Sequence, residues 1–243
     1  MEKIMPLMAH MVMGYPTLEQ SKLTAQAYIK VGVKYLELQI PFSHPTADGT
    51  VITDANRVAI GQNQVMLNDC LQLIDGLNQN LGNSEIVVMT YSNKALSVGA
   101  NAFAEALTAR GISKAIIPDL PFDDPLVEAF EGLSLVPVIA PNITPKRLDL
   151  MLAKKPEMIY IMADYKITGS GFGVNKAMQQ LVETIRQKCD AQIGIGFGIS
   201  NGSQAKEILN LADFAIVGSA LIKAGLAGQL DELLSDFSEG LTS

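Results

Sequence analysis

The 243-residue chain predicts an α/β fold, a (β/α)8 TIM barrel that occupies residues 1–243 as a single domain. Three observations predict it. Short apolar runs alternate with amphipathic segments from end to end; eight such runs fit within the length of one barrel; no linker or low-complexity stretch divides them. With 48% hydrophobic residues, the chain can fill one large core. A doubly wound open sheet shows the same alternation, and periodicity alone does not separate the two.

The candidate strands, in order, are Leu7–Met13, Tyr35–Ile40, Glu85–Tyr91, Lys114–Pro118, Leu135–Ala140, Met158–Ala163, Gln192–Gly198 and Phe214–Ser219. Helical patterns with start signals lie between them. Thr17 and Gln20 have the spacing of a capping box. Thr144-Pro145 and Asp124-Pro125 each pair an N-cap with a first-turn proline. Gly111 and Gly132 stand where helices are expected to stop. The eleven methionines are expected in the core. Asp164–Val174, with its glycines and serine after a strand, is expected to form a lid.

A net charge of −7 and a pI near 4.9 argue against nucleic acid or an anionic membrane as the main partner and suit a cytoplasmic protein. The run Leu7–Met13 is too short for a signal peptide, and no run approaches the ~20 apolar residues that span a bilayer. Cys70 and Cys189 are far apart, in helical-looking polar segments; they read as reduced structural thiols, and no metal site is expected.

The chemistry concentrates in Tyr35-Leu-Glu-Leu-Gln-Ile-Pro-Phe-Ser-His-Pro-Thr-Ala-Asp-Gly49. Leu36, Leu38 and Ile40 share one face of a strand; Tyr35, Glu37 and Gln39 share the other. If the leucines meet the helices, Glu37 points into the lumen near the strand's C-terminal end, where barrels hold catalytic groups. Apolar walls would raise its pKa and fit it for proton transfer; pairing with a lysine at the rim is the other reading. Asp48 follows in the loop, as a second acid or as ordinary turn chemistry. Near the C-terminus, Gly196-Phe-Gly-Ile-Ser200 and Val217-Gly-Ser-Ala220 each place glycine and serine just before a helix. Backbone N–H groups at that position bind phosphate without a lysine. Gly169-Ser-Gly-Phe-Gly173 is placed to close over the same group. Asp119, Asn56, Tyr91 and Tyr160 are polar groups near strand ends, for which caps and buried hydrogen bonds are the default reading.

Taken together, Glu37-Leu-Gln-Ile-Pro-Phe-Ser, Ala47-Asp-Gly49, Met89-Thr-Tyr-Ser-Asn93, Pro118-Asp-Leu-Pro121, Thr168-Gly169, Gly196-Phe-Gly-Ile-Ser200 and Gly218-Ser219 resemble the tryptophan synthase alpha chain family in order and spacing. The resemblance implies a barrel lyase that cleaves indole-3-glycerol phosphate to indole and glyceraldehyde 3-phosphate. It implies no cofactor in this chain, and a beta-chain partner that carries pyridoxal phosphate in an alpha-beta-beta-alpha complex. It assigns Glu37 as the acid–base group and Asp48 as the acceptor of the indole N–H. Gly169, Gly198, Gly218 and Ser219 match the phosphate cradle. Tyr91, Tyr160 and Phe197 match residues around the substrate, Thr168 a lid threonine, and Asp119 and Asn56 polar residues near the site or the partner surface.

The departures are local. His10 stands where the family usually has a phenylalanine against the indole, and it is counted with the substrate-binding residues. Tyr15 replaces an aspartate, Gln39 a glycine, and His44 the aspartate of a loop facing the beta chain. Asp164 falls where a lid arginine is expected. Crowding by His10 and Gln39 leaves two alternatives: a non-catalytic subunit that activates a beta chain, or a stand-alone barrel enzyme on a related phosphorylated substrate.

Overall fold

The structure, a computed structural model, describes residues 4–162, 176–196 and 198–242. Its strands are β1 (Met5–Val12), β2 (Val33–Gln39), β3 (Glu85–Met89), β4 (Lys114–Ile116), β5 (Ser134–Leu135), β6 (Val138–Ile139), β7 (Met158–Met162), β8 (Gln192–Gly196) and β9 (Phe214–Val217). All pair in parallel, in the order β5-β4-β3-β2-β1-β9-β8-β7-β6. The two ends of that order are halves of one strand. Pro137 lacks an N–H and interrupts the ladder. Val136 still donates to the Ala115 carbonyl at 2.8 Å, and Tyr160 N donates to the Pro137 carbonyl at 3.0 Å. The 134–139 stretch therefore bonds to β4 on one side and β7 on the other, and the sheet closes as a barrel. The continuous fifth strand expected over Leu135–Ala140 is broken at this proline.

The helices are α1 (Leu18–Lys30), α2 (Thr50–Gly61), α3 (Leu67–Asn78), α4 (Ser92–Leu96), α5 (Ala100–Thr108), α6 (Pro145–Ala153), α7 (Lys176–Lys188), α8 (Gly202–Leu209), α9 (Ser219–Leu226) and α10 (Leu230–Thr242), with a 3-10 turn over Pro125–Ala129. Thr144 accepts from Arg147 N at 3.4 Å and Asp124 from Leu126 N at 2.8 Å, each before its proline. Gly111 and Gly132 adopt φ of +75° and +76°, the left-handed stop that glycine permits. Thr17 accepts from Gln20 N at 3.2 Å, so the backbone half of the expected capping box is present. Ser200 stands just before a helix, as expected: α8 begins at Gly202, capped by Asn201, which accepts from Gln204 N at 2.9 Å.

Two apolar cores result from strand alternation. Leu36, Leu38 and Ile40 belong to the larger one, between barrel and helices. Met8, Tyr35, Val87, Met89, Ile116, Met158, Phe214 and Ile216 fill the lumen. In β8 the isoleucines of Gln192-Ile-Gly-Ile-Gly196 join the outer core, and its glycines face inward. A Cβ on Gly194 would stand 2.1 Å from Phe214 Cε2, so this glycine makes room for the phenylalanine. Cys70 is fully buried in the outer core and not on a polar face; both described cysteines are free. Met66 and Met162 are the exposed exceptions among the described methionines. α10 packs on the start of α8: Asp236 accepts from Gly202 N at 2.7 Å, and Gly240 lies against Gly202 closely enough that a Cβ would sit 2.5 Å from its carbonyl oxygen.

Candidate active site

Parallel pairing of β1 with β2 sets His10 level with Glu37 and Val12 level with Gln39. All three polar side chains are buried, at 3%, 3% and 0% exposure. Glu37 projects into the lumen, as the alternation of β2 requires. Among the described residues no lysine meets it: its neighbour is His10, with Nδ1 3.4 Å from Glu37 Oε1.

Asp48 is fixed from both ends of its loop. At the start, the buried Asn56 of α2 accepts from Phe42 N at 2.8 Å and donates to the Ile52 carbonyl at 2.9 Å. At the end, Ala47 N donates to Tyr91 Oη at 3.0 Å, and that hydroxyl donates to Asp48 Oδ2 at 2.9 Å. The Tyr91 ring stacks on Phe42 with centroids 5.2 Å apart. Gln39 Nε2 adds a second donor to Asp48 Oδ2 at 2.8 Å. Gln39, expected to crowd the acid, thus binds the other acid. Asp48 does close a turn, donating its N–H to the Pro45 carbonyl at 3.1 Å, and its carboxylate is in addition held by two side chains, Gln39 and Tyr91.

Burial raises the pKa of Asp48, with a small push from Glu37; His10, Gln39 and Tyr91 pull the other way. Burial pulls His10 down, yet the charges of Glu37 and Asp48, with hydrogen bonding to Glu37 and Gln39, leave it raised. Burial lifts Tyr160 well above the ordinary phenol range, reinforced by Glu37 and Asp48, so its hydroxyl remains protonated.

Glu37, Asp48, His10 and Tyr160 open on one cavity of about 920 Å³. That volume suits a small organic ligand. Met89, Ile116, Val138 and Ile216 give it apolar walls. Gly198, Ser200, Gly218 and Ser219 also line it. Gly198 has φ of +60°. Gly218 caps α9, and Ser219 is that helix's first residue, so the helix start with its free N–H groups borders the cavity. A Cβ on Gly218 would come within 3.3 Å of Ile52 Cδ1 and 3.6 Å of His10, so this glycine keeps the space beside His10 open. Among the described residues, no group of three metal-ligating side chains occurs.

Several expected site residues stand elsewhere. Tyr91 is fully buried behind Asp48 and off the cavity wall, because its hydroxyl is occupied by Asp48 and Ala47. Asp119 caps α4, accepting from Ser92 N at 2.8 Å and Ser92 Oγ at 2.7 Å. Asn56 is internal, holding the loop as described. Thr168, Gly169, Phe197 and the lid expected over Asp164–Val174 lie outside the described residues. Lys223, overlooked in the sequence, also lines the cavity. The available signal was its spacing: four residues after Ser219, it shares that residue's face of α9.

Comparison with known proteins agrees with this arrangement. The family model for the tryptophan synthase alpha chain matches residues 2–235. The alpha chain of Aquifex aeolicus is 34% identical over 247 residues, covering 97% of this chain and 92% of the relative. That of Chloroflexus aggregans is 34% identical over 220 residues, covering 89% and 82%. A solved tryptophan synthase from M. tuberculosis, in an aminoacrylate-bound form, superposes with a TM-score of 0.86 at 29% identity over 98% of this chain and 94% of that one. With the family model matching most of the chain and relatives at 34% identity, the chain belongs to the tryptophan synthase alpha chain family.

Proposed function

We propose that Glu37 and Asp48 carry out this family's reaction, the cleavage of indole-3-glycerol phosphate to indole and glyceraldehyde 3-phosphate. The carrying observation is that both acids open on the same cavity that Gly198, Gly218 and Ser219 also line. A cavity that combines buried acids with the backbone N–H groups of a helix start fits a substrate that carries both a ring and a phosphate.

The reaction consumes no net proton. Indole C3 must gain one as the carbon–carbon bond breaks, and the glycerol hydroxyl must lose one. Glu37, as a single carboxyl group, gives the first and takes the second. Asp48 accepts the indole N–H and offsets positive charge that develops on the ring. Tyr91 acts on Asp48 and not on the substrate; Tyr160 contributes a neutral hydroxyl to the wall. Phosphate rests on the N–H groups around Gly198, Gly218 and Ser219; the resemblance adds Gly169 to this cradle and Thr168 and Phe197 to the substrate contacts.

The family's alpha chain has no cofactor of its own, and it works with a beta chain that holds pyridoxal phosphate. For this chain the loop from Phe42 to Asp48 is the docking element, in an alpha-beta-beta-alpha complex. His44 there is exposed and lies 2.8 Å from Ser43 Oγ. Among the described residues no helix is long and apolar enough to cross a membrane.

The test is indole release from indole-3-glycerol phosphate by wild type and Glu37→Gln, alone and with a purified beta chain. Release by wild type, accelerated by the partner and reduced about 10³-fold in the variant, is expected. Substantial activity in Glu37→Gln would remove Glu37 from its role.

A further inference from the structure

Three buried polar atoms beside the acids in the cavity have no hydrogen-bond partner among the described residues: His10 Nε2, Glu37 Oε2 and Gln39 Oε1. Unpaired polar atoms are unfavourable in a dry interior. Three in one place call for an arrangement that satisfies them. The groups facing His10 are Glu37 and Gln39 from β2, Asp48 from the following loop and Tyr160 from β7.

We propose that His10 is a positioning residue that couples the two acids, so that Glu37, His10, Gln39 and Asp48 form one polar chain across the floor of the site. The proposal rests on the reading of Glu37 and Asp48 as the acid pair. Two of its links are already in place. His10 Nδ1 lies 3.4 Å from Glu37 Oε1, and Gln39 Nε2 lies 2.8 Å from Asp48 Oδ2. The third joins the two remaining orphans on the ring and the amide, His10 Nε2 and Gln39 Oε1.

While Glu37 is the carboxylate that takes the hydroxyl proton, only one state of the ring suits all three links. A neutral ring has a single N–H. Given to Glu37, it leaves the bare Nε2 facing the Gln39 oxygen, acceptor against acceptor. Given to Gln39, it leaves the bare Nδ1 facing a carboxylate. Turning the Gln39 amide over would set its oxygen against Asp48. The imidazolium donates to both sides, and it places one positive charge between two negative ones. Glu37 is then oriented through one of its oxygens, and Asp48 stays ionised to receive the indole N–H. His10 and Gln39 act as a pair: each departs from the family's usual residue, and each touches a different acid.

The experiment is an NMR titration of the full chain labelled in its histidine rings. The chain has two histidines, so the spectrum has two ring signals, and the one lost in His44→Gln is not His10. In wild type, His10 is expected to titrate above the ordinary histidine value of 6.5. In Glu37→Gln its midpoint should fall by more than about one pH unit, because burial then acts with less opposition. Gln39→Met should lower it by less. A parallel kinetic readout uses His10→Phe, which keeps a ring and removes both nitrogens. Its acid limb of kcat/KM should move to higher pH by about one unit, since Asp48 loses a nearby cation. An unchanged His10 midpoint in Glu37→Gln, or a His10→Phe profile that superimposes on wild type, would overturn the coupling. If no protein releases indole, wild type included, the reading of the site fails, and the titration decides the coupling by itself.

Discussion

At the N-terminal mouth of the barrel, Lys114 Nζ lies 2.7 Å from Glu85 Oε1 and 3.8 Å from Glu157 Oε2. Nearby, Lys34 Nζ donates to Gln192 Oε1 at 3.1 Å, and the Tyr35 hydroxyl donates to the same oxygen. At the C-terminal mouth, among the described residues, Glu37 meets a histidine and no lysine, and three buried polar atoms are unpaired. The same lumen thus ends in two different electrostatic environments. One mouth matches donors with acceptors and contributes to folding. The other holds buried acids around a cavity, where they are available to a ligand. Position along the strands, more than residue type, tells the two apart: Glu85 and Glu37 are both barrel glutamates, and of the described lysines one pairs with Glu85 and none with Glu37.

The comparison breaks if a change at the acid mouth harms folding or a change at the paired mouth harms turnover. The largest expected effect is Asp48→Asn, with kcat about 10³-fold lower, or ~4 kcal/mol of barrel-held transition-state stabilisation. The same variant should melt higher at pH 7. Burial raises the folded-state pKa of Asp48 above its ordinary 3.8, so ionising it opposes folding as pH rises through and beyond that value. The gain should vanish below about pH 4, where the carboxyl is protonated folded and unfolded. Thermal melts across pH, beside the indole assay, check both halves; a lower melting temperature at pH 7 would contradict the account.

Gly194→Ala is the next largest, and it acts on the lumen's packing. A methyl group 2.1 Å from Phe214 Cε2 must displace the ring, at about 2–3 kcal/mol in urea denaturation. The folded fraction should turn over at nearly the wild-type rate. Gly218→Asp should raise KM about tenfold through crowding and charge repulsion at the phosphate end, with stability changed by less than about 1 kcal/mol. An unaltered KM would place the phosphate elsewhere. The smallest effect is Lys114→Met. The lysine is 15% exposed and Glu85 is 43% exposed, so breaking this partly solvated pair costs about 1 kcal/mol. Turnover in Lys114→Met should match wild type, and a tenfold loss would mean that the two mouths are not separable.

What could be read from the sequence follows the range of the interactions involved. Strand alternation depends on neighbours two residues apart, so the lumen-facing position of Glu37 was legible in Tyr35-Leu-Glu-Leu-Gln39. Caps at Thr144 and Asp124 depend on residues two or three apart, and they too were legible. The break in the fifth strand was written in Val136-Pro137 but was overridden there by the apolar pattern on either side. The Gln39–Asp48 bond was not legible, because it needs the path of a loop that Asn56 and Tyr91 hold from 14 and 43 residues away. Tyr91 and Asp119 were placed near the site correctly in chain order. Their hydroxyl and carboxyl groups turn away from the cavity to partners that only tertiary contacts reveal.

The glycine contact between α8 and α10 has a consequence for the order in which the protein is completed. Every residue of the cavity described here, through Lys223, leaves the ribosome before Leu230 begins α10. The first turn of α8, next to Gly198 and Ser200, is held by Asp236 and pressed by Gly240. During synthesis the acid end of the site can assemble from β1 and β2 early. The side of the cavity next to α8 waits for a helix made after all of its own residues, and a nascent chain stalled before Asp236 would have its buried acids in place while the start of α8 still lacked its support.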